Sequence, residues 1–306
     1  MRAADTAMYR AKAHGRGHHA VFDQEMHARV MLTLQLENDL RRAIERGEMI
    51  VHYQPIVALD TGRVTGFEAL VRWLHPERGL VPPMEFIPVA EEAGLIVPLG
   101  MWVLGEACRE ARRWQGAAAA GGPWPDVSVN LSGKQFAQPD LVERVGEVLA
   151  ETGLGGHALR LEITESVVME NAEATAASLQ QLRELGVRLV VYDFGTGYSS
   201  LSYLQRFPIS TLKIDRSFVS RMCDSEENSE IVRTIIALAR NLGIEVVAEG
   251  VETPEQLAQL RALGCGYAQV FLFSVAVPAD EAADMIARGG DAFTGRVRRP
   301  RVLQGR

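Results

Sequence analysis

The 306-residue chain is predicted to be an α/β protein, a modified (β/α)8 barrel of the TIM type with one antiparallel strand. Three observations predict this. From residue 49 onward, apolar runs of strand length alternate with helical patterns. The first two runs are separated only by the turn residues Asp60-Thr61-Gly62-Arg63. Several runs end in an acid, an amide or a lysine. Strands separated by helices pair in parallel, whereas a tight turn joins antiparallel neighbours. In a barrel of about 250 residues the carboxyl ends of the strands share one face, which carries the chemistry.

Residues 3–22 read as a helix (Ala3 to Ala13), a turn (His14 to Gly17) and a short strand (Ala20 to Phe22). So short a segment buries no core of its own and is expected to be the end of a larger domain. His14, His18 and His19 read as solvated turn residues. Met26, Val30 and Leu34 recur every fourth residue, as do Leu36, Leu40 and Ile44, which predicts a helix over 24–46 stopped by Gly47. Strands are then expected near 49–59, 64–73, 126–132, 159–166, 187–193, 210–215, 244–249 and 267–273. Helices are expected near 83–93, 97–115, 139–152, 171–186, 226–243, 254–264 and 278–288. The Ala117–Gly122 run before Pro123 reads as a surface loop. The domain reading is therefore a remnant at 1–23, a connecting helix at 24–47, the barrel at 48–288 and a tail at 289–306. The tail carries Arg296, Arg298, Arg299, Arg301 and Arg306 with no acid, and is expected to be disordered.

Composition excludes several classes. A net charge of −7 argues against general nucleic-acid binding. No stretch is long and apolar enough to span a bilayer, and the first twenty residues lack the apolar core of a signal peptide. The chain therefore reads as soluble and cytoplasmic, or as the cytoplasmic part of something larger. Cys108, Cys223 and Cys265 have no paired spacing. They read as buried free thiols rather than as disulfides or a zinc site.

Glu68, Asn130, Glu162, Asp193 and Glu249 end five different strand runs. Such hard oxygen ligands suit magnesium, and the absence of a helix-borne His pair argues against zinc. Paired divalent ions fit phosphodiester cleavage, because they activate water and offset charge on phosphate oxygens. Lys213, at another strand end, is placed to orient water or stabilise that charge. Tyr192 stands where a further acid is expected. The Gly-rich segment from Asp193 to Leu201 reads as a strand-to-helix loop. No Ser lies in a nucleophile elbow, so serine catalysis is unsupported.

Glu68-Ala69-Leu70 within Phe67 to Trp73 resembles the signature of EAL domains, the cyclic di-GMP phosphodiesterases of bacterial signalling. The resemblance runs from about residue 30 to 285. It includes Gln54-Pro55-Ile56, Ser128 to Ser132, Leu161 to Ser166, Asp193 to Leu201, Lys213-Ile214-Asp215 and Glu249 to Glu252. Ala4 to Phe22 similarly resembles the last helix and strand of a GGDEF domain, whose own signature is absent.

The resemblance implies a homodimeric barrel that hydrolyses cyclic di-GMP to linear pGpG with two Mg²⁺ or Mn²⁺ ions. It places Glu68, Asn130 and Glu162 on one ion and Asp193 and Glu249 on the other. Lys213 and Glu249 become the catalytic residues, with Lys213 at the attacking water. Gln54, Leu70, Arg72, Asn130, Asp215 and Gln269 become substrate-binding residues. Thr164, Glu165 and Glu252 become anchors of the Gly-rich loop. An upstream GGDEF or sensory domain is implied as a partner. Members usually carry two adjacent acids where this chain has Tyr192-Asp193, and the missing one bridges the ions. A neutral phenol is a poor magnesium ligand, so weakened turnover is expected. Three outcomes stay open: a weakened phosphodiesterase, an inactive cyclic di-GMP receptor, or a protein-interaction domain. The last strand also departs, with Gly266 where Asp is common, Val270 where Gly is common, and Val275-Ala276 for a basic residue and Pro. Val270 either crowds a guanine base or packs the barrel.

Overall fold

The computed structural model describes residues 24–117, 125–170, 172–195, 204, 206–271 and 274–288. The expected elements of residues 3–22 with their histidines, the basic tail and most of the Gly-rich loop lie outside the described residues. The chain divides into two compact units. Among the described residues, one comprises 24–50 together with Arg72–Ile96; the other comprises Val51–Val71 and those from Val97 to 288.

In the first unit, helix α1 (Gln24–Arg46) ends at Gly47, whose φ of 69° suits the residue after a helix. Its Leu40 and Ala43 are buried. The end of strand β2 (Val64–His75) pairs with a short strand β3 (Gly79–Val81), setting Trp73 opposite Val81. Helix α2 (Pro83–Glu92) starts on a proline, whose missing N–H costs nothing in a first turn. The Trp73 ring meets Phe86 of α2 edge-on at 5.8 Å, and its Nε1 donates to Glu48 at 3.1 Å.

The second unit is the barrel. Strand β1 (Met49–Ala58) and β2 are followed by β4 (Asp126–Asn130), β5 (Leu159–Thr164), β6 (Arg188–Phe194), β7 (Thr211–Ile214), β8 (Glu245–Val251) and β9 (Tyr267–Val270). They pair in that order, with β2 beside β4, and β9 beside β1; the β1–β2 pairing closes the ring. From β2 to β9 the pairs are parallel, and β1 lies antiparallel to β9. The reversed strand follows from the hairpin: Asp60 Oδ1 accepts the Thr61 N–H at 2.6 Å, and Gly62 takes a φ of 72°. Phe67, Val127, Leu161, Leu189, Leu212 and Val247 are buried, as continuous apolar strands of a parallel barrel require.

The expected long elements are all present. Strands β4, β5 and β7 are shorter than expected because short helices follow them: α4 (Gly133–Phe136), α6 (Glu165–Glu170) and α8 (Arg216–Arg221), besides the longer α3 (Ile96–Ala117) and α5 (Leu141–Thr152); β9 also ends early, at Val270. Helices α7 (Ala172–Glu184), α9 (Glu226–Leu242), α10 (Pro254–Leu263) and α11 (Ala279–Ala287) complete the order, and β10 (Val277–Pro278) pairs with β1. The thiol reading needs one correction: Cys108 and Cys265 are buried, but Cys223 is exposed. Among the described residues no helix is long and apolar enough to cross a membrane.

Candidate active site

Each barrel strand delivers its polar side chain to the same end. Parallel registry sets Glu68 of β2 beside Ser128 and Asn130 of β4 beside Glu162 of β5. Asp193 and Glu249 sit at irregularities in the pairing, between Val191 and Phe194 and between Ala248 and Val251. Bulges of this kind re-aim side chains next to sites. Asp193 is also the one described non-glycine residue with a positive φ, 56°, a conformation that costs free energy and persists where the surroundings enforce it. Asn130 is followed at once by a capping box. Ser132 Oγ accepts the Gln135 N–H, and Gln135 Oε1 accepts the Ser132 N–H at 3.2 Å.

Lys213 is the centre of the arrangement. It is 2% exposed, and its Nζ lies 2.8 Å from Glu68, 2.7 Å from Glu162 and 2.8 Å from Glu249. Glu68 also accepts from Asn130 and from Gln269, each at 2.6 Å. Glu162 Oε1 and Gln54 Nε2 are buried without a hydrogen-bond partner. A cavity of about 250 Å³ opens above this network. Gln54, Leu70, Asn130, Asp193, Glu249 and Gln269 line it, and so does Tyr192.

One buried cation among several acids sets the electrostatics. Burial opposes ionisation of Glu68, but Lys213, Gln269 and Asn130 outweigh it and hold this carboxyl below the usual range. Burial, then the Glu68 charge, pushes Glu162 up to about 7 despite Lys213. Burial likewise raises Glu249 and Asp193, the latter helped by Asp215. Lys213 is raised: burial opposes its charge, and the three glutamates more than offset that. Burial, with Asp193 and Glu162, drives the Tyr192 phenol further above its ordinary value, so it stays neutral. Among the described residues no three acid, His or Cys side chains stand together as a ready metal cluster. Glu68, Glu162 and Glu249 each turn an oxygen to Lys213 instead.

The other expected residues fall elsewhere. Asp215 caps α8, accepting the Ser217 N–H at 2.9 Å. Arg72 lies on β2 within the first compact unit. Thr164 Oγ1 accepts the Val167 N–H at 3.3 Å, and Glu165 accepts the Gly195 N–H at 3.0 Å at the start of the Gly-rich loop. Glu252 pairs with Arg216 at 2.6 Å. Val270 is 1% exposed and packs in the barrel. Gly250, within the Glu249 to Glu252 motif, also lines the cavity, as do Arg216 and Phe271, which the sequence did not single out.

The profile of the EAL domain matches residues 37–276. The chain belongs to the EAL-domain family. It is 45% identical over 284 residues to the bifunctional diguanylate cyclase/cyclic di-GMP phosphodiesterase MucR of Pseudomonas aeruginosa, covering 93% of this chain and 41% of that protein. It is 43% identical over 279 residues to the cyclic di-GMP phosphodiesterase PdeR of Escherichia coli, covering 91% of this chain and 42% of that one. The chain thus spans about two fifths of these relatives. The solved structure of the MucR phosphodiesterase in complex with c-di-GMP aligns with a TM-score of 0.78 at 46% identity, covering 81% of this chain and 99% of that one. The EAL barrel anticipated from the sequence is therefore the fold observed.

Proposed function

We propose that this EAL domain binds cyclic di-GMP and hydrolyses one of its phosphodiester bonds to give linear pGpG, with turnover lowered by Tyr192. The observation that carries the reading is the buried Lys213 held by three carboxylates at the carboxyl ends of the strands. The donor set fits hard divalent cations, Mg²⁺ or Mn²⁺: it is all oxygen, it carries excess negative charge, and Glu162 keeps a buried oxygen without a partner. Glu68, Asn130 and Glu162 would hold one ion, and Asp193 and Glu249 the other. Bound there, such ions supply an acidified water and countercharge for the phosphate.

The chain's own groups supply the rest. Lys213 presents an ammonium at the attacking water, fixed in place by the glutamates. Gln54 Nε2, buried without a partner, offers a donor to the ligand from β1. Leu70 and Gln269 line the same cavity. Tyr192 is the weak point, since a neutral phenol lines the cavity where an acid would balance two dications. The hydrogen bond from Gly195 to Glu165 supports a loop tied to the site and, with it, dimerisation through the barrel. The segment before residue 24 reads as the end of an upstream GGDEF-type domain.

Incubation with cyclic di-GMP and Mn²⁺, reading heat of binding and pGpG together, tests the proposal. Wild type is expected to bind and to turn over slowly. Tyr192→Asp is expected to raise pGpG formation about 100-fold, roughly 2.7 kcal/mol of transition-state stabilisation. Binding without any gain in turnover would make the domain a receptor, and absence of binding would overturn both readings.

A further inference from the structure

Arg216 and Phe271 meet at the mouth of the cavity. Arg216 opens α8, Phe271 follows β9, and both line the space above Lys213. The guanidinium carbon lies 5.5 Å from the centroid of the Phe271 ring. Its Nη2 donates to Glu252 at 2.6 Å. Gly250 has a φ of 68°, and a Cβ there would run into the Arg216 side chain, so a glycine is needed for the stem to lie where it does. The ion pair is open to water, with Arg216 59% and Glu252 45% exposed, and an exposed pair adds little stability. Phe271 is 38% exposed in a site lined mostly by polar residues. An arginine held against an open aromatic ring is a planar, electron-accepting surface. One edge of the guanidinium is already committed to a carboxylate, which favours recognition by its face over recognition of a phosphate.

Resting on the cyclic dinucleotide reading above, we propose that Arg216 and Phe271 form a stacking wall for one purine base of the ligand. Glu252 is a positioning residue that fixes the guanidinium. Stacking of this kind tolerates any purine, so selectivity for guanine must come from other groups of the cavity.

The test titrates a cyclic dinucleotide in which one guanine is replaced by 2-aminopurine, whose fluorescence falls on stacking, with and without Mn²⁺ and read before turnover. Calorimetry with cyclic di-GMP runs in parallel. Wild type is expected to quench the probe. Phe271→Leu and Arg216→Lys, which keep apolar bulk and charge respectively, are expected to lose most of the quenching and to weaken binding about 10-fold. Glu252→Ala is expected to lose part of the quenching, and Glu252→Gln to restore it. Unchanged quenching and affinity in both wall variants, with wild type still binding cyclic di-GMP, would overturn the wall and leave the functional reading intact. Failure of wild type to bind cyclic di-GMP would overturn both.

Discussion

At the amino ends of the barrel strands, Arg160 of β5 reaches Asp126 of β4 at 3.0 Å and Glu245 of β8 at 3.5 Å. Arg188 of β6 pairs with the same Asp126. Thr211 of β7 and Tyr267 of β9 donate to Glu245 at 3.4 and 3.3 Å. At the carboxyl ends a single Lys213 faces Glu68, Glu162 and Glu249, with Asp193 close by. The floor sets two cations against two carboxylates and satisfies itself. The roof sets one cation against three and leaves a buried glutamate oxygen unpaired. Buried charge in excess costs free energy. A barrel closed by a neutral ring at one end has no structural need for a charged cluster at the other. The difference agrees with the divalent-cation site proposed above for the roof.

The largest effect should come from breaking the roof. Lys213→Ala removes the one cation in contact with the buried Glu68 and Glu162 and the partly buried Glu249. In chelator it should lower unfolding free energy by about 3–5 kcal/mol, the cost of stranding a buried charge. Mn²⁺ should return part of that loss, and pGpG formation should vanish. Denaturant titration with and without the metal reads both. A loss below about 1 kcal/mol, or one that metal does not relieve, would mean that the glutamates relax without a cation.

Arg160→Met breaks the floor instead. Asp126 keeps Arg188, and Glu245 keeps Thr211 and Tyr267. The loss should therefore be smaller, about 1–3 kcal/mol for a buried group deprived of its partner. Metal should not relieve it, and cyclic di-GMP affinity by calorimetry should not change. A shift in affinity would show that the two ends communicate through the strands.

The roof was legible in the sequence because a parallel strand buried on both faces is a continuous apolar run, and a polar residue closing it stands out. Glu68, Glu162, Lys213 and Glu249 were visible for that reason. The floor was missed although its signal existed. Asp126, Arg188, Thr211, Glu245 and Tyr267 are each the first residue of a strand, and polar residues at the start of a run look like ordinary flanks. Helices α4, α6 and α8 have four to six residues, too few for a helical period to show. The positive φ of Asp193 and the two bulges depend on pairing with β7 and β9, which local sequence does not contain. Arg216 fell outside the reading because it lies past the end of its strand, and Phe271 because, inside the expected strand at 267–273, it is one apolar residue among others.

The smallest effect sharpens the comparison most, because it lies on one strand. Tyr267 and Gln269 are two apart on β9, so alternation sets them on the same face, one layer above the other. Tyr267 belongs to the floor through its hydroxyl on Glu245; Gln269 belongs to the roof through its amide on Glu68. Tyr267→Phe removes one hydrogen bond at a partly exposed carboxylate and should cost about 0.5–1 kcal/mol in unfolding free energy. It should leave the affinity for cyclic di-GMP and for Mn²⁺ untouched. Gln269→Ala removes a donor that helps hold Glu68 ionised. It should cost a similar amount of stability in chelator, yet weaken ligand binding about 10-fold, since hydrogen bonds to charged groups are the stronger ones. Unfolding and calorimetry on the same pair of variants separate the ends: equal stability losses with unequal binding losses. If both variants bind ligand alike, the boundary between floor and roof does not lie within β9.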